Sequence, residues 1–201
     1  MGAGGVEIDV HCLDGEIIVI HDSRLNRTTN GFGPLRRHTL AQVRQLDAGK
    51  GERVPLLREV LDAVDRQALV NIELKGRGTA GPVLELLRYY TVHRGWMPTD
   101  FLISSFHRSE LRKARGGGFP IGILFARSAR GFRPLARALG AWSIHVPAAQ
   151  VTPGLVTRAH ADDRKVLVFT VNSRDEMERL EKMGVDGIFT DYPNLMLGLA
   201  K

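Results

Sequence analysis

Short, β-branched apolar runs alternate along the chain with stretches in which apolar residues recur every three or four positions. The runs VEIDVHC (6–12), EIIVIH (16–21), ALVNIELK (68–75), DFLISSF (100–106), IGILFA (121–126), AWSIHVP (141–147), KVLVFTV (165–171) and DGIFTD (186–191) read as strands. LLREVLDAVD, AGPVLELLRYYTV, RSELRKAR, FRPLARALG, TPGLVTRAHADD and SRDEMERLEKMG read as helices between them. Strand then helix, repeated, is the signature of a parallel α/β fold, either a (β/α) barrel or an open doubly wound sheet. No G-x-G-x-x-G follows the first strand, so the open dinucleotide-binding sheet lacks its usual mark.

The first two runs break the alternation. Only LDGE separates them, and Asp14-Gly15 is a tight-turn signal, so they are expected to pair as an antiparallel hairpin. From Asp22 to Glu59 the periodic pattern fades except in TLAQVRQLD, which opens on a Thr suited to capping a short helix. A connection this long is expected to be a functional loop region, residues 22–59, rather than a simple linker.

The polar residues inside the strands carry the candidate chemistry. Glu7, Asp9 and His11 share one face of the first strand, opposite Val6, Ile8 and Val10. Paired carboxylates repel and are costly to desolvate, and a hard divalent cation is the simplest compensation. Glu73 and Lys75 share a face at the end of NIELK, so in a barrel Glu73 could join Glu7 and Asp9 as a third oxygen ligand, with Lys75 meeting an anionic oxygen. His21, ending the second strand, is the proton-transfer candidate. His38, His93, His107, His145 and His160 share no metal-ligand spacing, and no G-x-S-x-G elbow supports a serine hydrolase.

Composition changes this picture little. The chain has 201 residues, 43% hydrophobic and 25% charged, as expected of one ordinary globular domain. Its charge of +6 comes from scattered arginines, read as a solvated surface rather than a nucleic-acid site, since no recognition motif accompanies them. Cys12 cannot form an internal disulfide and reads as an inert, buried thiol. No apolar run approaches membrane-spanning length and the opening residues lack the order of a signal peptide, so a cytoplasmic location is expected, although a signal upstream of Met1 would escape this reading.

GVEIDVHCLDGEIIVIHDSRLNRTTNGFG, VPLLREVLD, VNIELK, LISSF, VFTVN and GVDGIFTDYP, in this order and spacing, resemble the glycerophosphodiester phosphodiesterases from Gly4 to Pro193. The resemblance implies a TIM barrel that uses a divalent metal, Mg²⁺ or Ca²⁺, to hydrolyse a small-molecule phosphodiester to glycerol 3-phosphate and an alcohol. It implies Glu7, Asp9 and Glu73 as metal ligands, His21 as one of two catalytic histidines, and Lys75 as the phosphate-facing base. Phe169, where the family often has Trp, would line the site near the substrate.

One departure matters. The family pattern opens with a strand carrying HRG, whose His is the second catalytic histidine, and here the sequence starts at MGAGG. The fold class expected is therefore a TIM-barrel-type (β/α) fold lacking its first strand and helix. His93-Arg94-Gly95 is a decoy, since it follows a helix and precedes the next strand. Three readings stay open: a piece of a normal enzyme, an inactive remnant that binds metal and phosphodiester, or a chain whose open barrel edge is covered by another subunit.

Overall fold

The computed structural model describes residues 2–196, which form two compact units, one of Gly5–Phe119 and one running from Pro120 together with the residues before Gly5. In the Gly5–Phe119 unit the order is β1 (Gly5–Leu13), β2 (Glu16–Val19), α1 (Leu40–Val43), α2 (Leu57–Val64), β3 (Leu69–Leu74), α3 (Ala80–His93), β4 (Phe101–Ser105) and α4 (Arg108–Ala114). Its sheet runs β2-β1-β3-β4, antiparallel at the first pair and parallel after it. The hairpin is the expected one: Leu13 faces Glu16 in register, and Asp14 and Gly15 take φ of 51° and 84°. Positive φ at both central residues matches the right-handed twist of the two strands.

Period-two alternation then sorts the side chains. Val70, Ile72 and Leu74 of β3 and Phe101 and Ile103 of β4 are fully or almost fully buried. So are Val83 and Leu87 of α3 and Leu111 and Ala114 of α4. Trp96 stacks on Phe101, with ring centroids 4.8 Å apart, where the chain passes from α3 to β4. His93 and Arg94 end α3, where His93 lies against Tyr89 and Arg94 pairs with Asp62.

The 22–59 stretch is ordered around a small core of its own. Leu25, Leu35, Val43, Val54 and Leu56 bury against Leu13, Ile18 and Ile20 of the hairpin. Thr39 caps α1 by accepting from Gln42 N–H while the Gln42 side chain accepts from Thr39 N–H, so the expected Thr-led helix is present but only one turn long. Arg44 closes the stretch with a bidentate pair to Glu59 at 2.6 and 2.7 Å.

The second unit alternates regularly: β5 (Ile121–Leu124), α5 (Phe132–Leu139), β6 (Ser143–Pro147), α6 (Pro153–His160), β7 (Lys165–Phe169), α7 (Arg174–Lys182) and β8 (Gly187–Ile188). The four strands pair in that order, all parallel. The run at 186–191 contributes only two residues of strand, because Phe189 N–H still bonds Val168 carbonyl while Thr190, Asp191 and Tyr192 turn onto Asn172 and one another. His145 is fully buried, shares a 2.8 Å hydrogen bond with Ser143 Oγ, and is pushed down to about 3 by burial. It is a neutral packed residue. Cys12, expected to be buried, is only half-buried, because it lies two residues past Val10, where the pairing of β1 with β3 ends. Among the described residues no helix is long and apolar enough to cross a membrane.

Candidate active site

Three strands of the Gly5–Phe119 unit contribute to one cluster. In the parallel β1–β3 register Glu7 stands beside Asn71 and Asp9 beside Glu73. Side chains two apart on a strand point the same way, so register and alternation together bring Glu7, Asp9 and Glu73 to one place. One carboxylate oxygen from each lies within 4.8 Å of the others, with Glu7 exposed, Asp9 half-buried and Glu73 buried.

Lys75 follows directly after β3 and is held there by its N–H bond to the Val10 carbonyl, 3.1 Å. Its Nζ lies 3.2 Å from Glu73 Oε1 and 3.5 Å from Asp9 Oδ1. One ammonium cannot neutralise three carboxylates. The Glu7 carboxyl, desolvated by its neighbours and repelled by Asp9 and Glu73, is pushed up to about 8, although the residue as a whole is exposed. Burial, then the charge of Asp9, also raises Glu73, with Lys75 working against them. Burial disfavours the Lys75 ammonium, but Glu73 and Asp9 outweigh it and hold the group above its ordinary range.

His21 arrives from the hairpin. β2 ends at Val19, two residues before the expected limit, although Ile20 N–H still bonds the Asp9 carbonyl of β1 in register, 3.0 Å. This stitch carries the next residue over the carboxylates: His21 Nε2 lies 3.3 Å from Lys75 Nζ. His11 does share the face of Glu7 and Asp9, but it is buried, donates from Nε2 to the His21 carbonyl at 3.3 Å, and is lowered by that burial. It shapes the site's floor.

Two residues escaped the sequence reading. Asp22 Oδ1 lies 2.5 Å from His21 Nδ1, and Arg27 grips Asp22 through Nε at 2.7 Å and Nη2 at 2.9 Å. The available signal was the Asp directly after His21 and an Arg five residues on. A cavity of about 300 Å³ opens beside Glu7, Asp9 and His21, walled by Thr28, Thr29, Ala48 and Val54 of the 22–59 stretch. Phe169 ends β7 in the other unit, paired in register with Pro147.

Comparison with known proteins gives this arrangement a context. Residues 1–195 match the profile of the Glycerophosphoryl diester phosphodiesterase family. A glycerophosphodiester phosphodiesterase of Caldanaerobacter subterraneus subsp. tengcongensis is 34% identical over 212 residues, covering 100% of this chain and 87% of that protein. One from Bacillus altitudinis is 32% identical over 207 residues, covering 96% and 84% respectively. Among solved structures, an Oleispira antarctica phosphodiesterase in complex with the product sn-glycerol-3-phosphate superposes with a TM-score of 0.88 at 27% identity, over 100% of this chain and 86% of that one. The glycerophosphodiester phosphodiesterase of Agrobacterium tumefaciens str. C58 gives 0.81 at 28% identity, over 98% and 87%. The α/β fold is thus of the TIM-barrel type expected, and the chain belongs to the glycerophosphoryl diester phosphodiesterase family, a family of phosphodiester hydrolases.

Proposed function

We propose that this chain hydrolyses glycerophosphodiesters to glycerol 3-phosphate and an alcohol, using a divalent cation, Mg²⁺ or Ca²⁺, held by Glu7, Asp9 and Glu73. The observation that carries the reading is the meeting of three carboxylates within 4.8 Å beneath a histidine and a lysine. The product named in the Oleispira antarctica complex supports the substrate class.

The residues present fit such an ion. All three donors are carboxylates, the set a hard cation prefers. Glu73 Oε1 is buried and meets the Lys75 ammonium at 3.2 Å, and a carboxylate oxygen that takes one such contact keeps lone-pair capacity for a cation. Bound there, a divalent cation supplies Lewis-acid stabilisation of charge on a phosphoryl oxygen.

The chain's own groups supply the rest. Lys75, kept charged by Glu73 and Asp9, offers its ammonium to a nonbridging phosphoryl oxygen and stabilises charge that grows toward the transition state. His21 moves the proton, taking it from the nucleophile or giving it to the leaving alkoxide. The 22–59 stretch serves as the site's loop region within a single catalytic domain, a reading supported by the profile match over residues 1–195.

The test is release of glycerol 3-phosphate from a glycerophosphodiester by the purified chain in Mg²⁺ or Ca²⁺. Release is expected to stop with a chelator and to fall about 10²- to 10⁴-fold in His21→Ala. No release by wild type, or full release from His21→Ala, overturns the assignment.

A further inference from the structure

We propose that Asp22 and Arg27 are positioning residues that lock His21 in the Nδ1–H form, so that Nε2 is the nitrogen that exchanges the proton; this rests on the proton-transfer role of His21 above.

Two neighbours of opposite hydrogen-bonding character dictate the form. Asp22 Oδ1 sits 2.5 Å from His21 Nδ1. Arg27 donates to both Asp22 oxygens, and these bonds, then the one from His21, hold the carboxyl well below its ordinary range. An ionised carboxylate only accepts, so Nδ1 must carry hydrogen. On the other side of the ring, Lys75 Nζ at 3.3 Å only donates, so Nε2 must present its lone pair. The same ring position is demanded twice.

The loop is built to keep Arg27 in place. Leu25 is fully buried, and its carbonyl accepts both the Thr29 N–H at 3.1 Å and the Thr29 hydroxyl at 2.7 Å, closing the turn that carries Arg27. Asn26 Oδ1 takes the Gly33 N–H at 3.1 Å across the same turn. Arg27 itself is 62% exposed, so the ion pair adds little to stability, and its fork geometry on Asp22 is what it contributes. When Nε2 takes a proton, the O–H bond of the nucleophile breaks and the Nε2–H bond forms. Nδ1–H stays with Asp22, whose charge faces the new imidazolium, and return of the Nε2 proton to the leaving alkoxide restores the neutral ring.

The experiment reads the ring directly. Two-bond ¹H–¹⁵N correlation spectra of the labelled chain, recorded above the histidine titration range and assigned by loss of the signal in His21→Ala, report which nitrogen is protonated. Wild type is expected to show Nδ1–H, Asp22→Asn to move toward Nε2–H, Arg27→Ala to give a mixture, and Arg27→Lys to recover part of the wild-type pattern. In turnover of a glycerophosphodiester, kcat should fall about tenfold or more in Asp22→Asn and Arg27→Ala, with KM changed less than about twofold. A wild-type ring protonated at Nε2, an unchanged tautomer in Asp22→Asn, or a shifted tautomer with unchanged kcat overturns the proposal. Should wild type turn over no substrate, the hydrolase assignment fails while the spectra still decide this one.

Discussion

Asp9 and Glu73 are register partners across the parallel β1–β3 pair, and with Glu7 they place three carboxylate oxygens within 4.8 Å. The Lys75 ammonium is 3.2 Å from Glu73 and 3.5 Å from Asp9, and it leaves the cluster with an excess of negative charge. That excess governs how the protein responds to pH, to cations and to mutation.

Stability should fall as pH rises above the histidine range. The Glu7 carboxyl goes from 4.5 in the unfolded chain to about 8 in the fold, so across that window the folded state binds more protons. Where the native state holds the extra proton, unfolding becomes easier with rising pH. Glu73, also raised, acts in the same direction. Thermal melts from pH 7 to pH 9, above the range in which the lowered His11 and His145 pull the other way, are expected to show a declining midpoint, and saturating Mg²⁺ or Ca²⁺ should restore it at the upper end far more than at the lower. A flat profile without metal would count against the charge excess.

Neutralising one carboxylate should reproduce part of that effect. Glu7→Gln removes the repulsion with Asp9 and Glu73, so without metal it should melt higher than wild type near pH 8. Near pH 5, where the wild-type group already carries its proton, the two should melt alike. Cation-induced stabilisation, measured by the same melts or by calorimetric titration, should shrink sharply in this variant, since one of three ligands is lost.

Lys75 links charge balance to chemistry. Lys75→Met leaves Glu73 and Asp9 without their cation, so melting without metal should drop near neutral pH. It should also lower kcat/KM by about 10²-fold, the scale seen when one preorganised donor to a developing charge is removed. Lys75→Arg keeps the charge and should recover stability better than activity, because the guanidinium fork differs in shape from a point ammonium.

The loop's own core should behave as a local unit. Leu25 is fully buried among Leu35, Val43, Val54 and the hairpin, so Leu25→Ala is expected to cost about 2–5 kcal/mol. Hydrogen exchange should quicken across residues 22–56 while the β3 and β4 amides keep their protection. Uniform acceleration in both regions would show instead that the stretch unfolds only with the rest of the chain.

Much of this site was legible because side-chain direction on a strand is covalent geometry. Glu7 and Asp9 had to share a face, as did Glu73 and Lys75, once the runs around them were read as strands. The hairpin followed from Asp14-Gly15, where positive φ is tolerated. Strand ends were less legible. VIH looks like continuing strand, and Ile20 N–H does keep the antiparallel register by bonding Asp9, but His21 beyond it leaves the strand for the site, a turn visible only with the partner strand in place.

By itself, then, the sequence determined the order of strands and helices, the face on which each ionisable residue stands, and the family pattern that joins them. Tertiary structure decided which faces meet. Packing of Val70, Ile72 and Leu74 into the core sets Asp9 against Glu73, a through-space register that no local period encodes. It also carried His21 to Lys75, 54 residues away in sequence, and joined Asp22 to Arg27 over the ring's far nitrogen. Alternation acts over two residues, whereas the chemistry needs groups from separate strands and a loop, and only burial of the apolar faces brings those together.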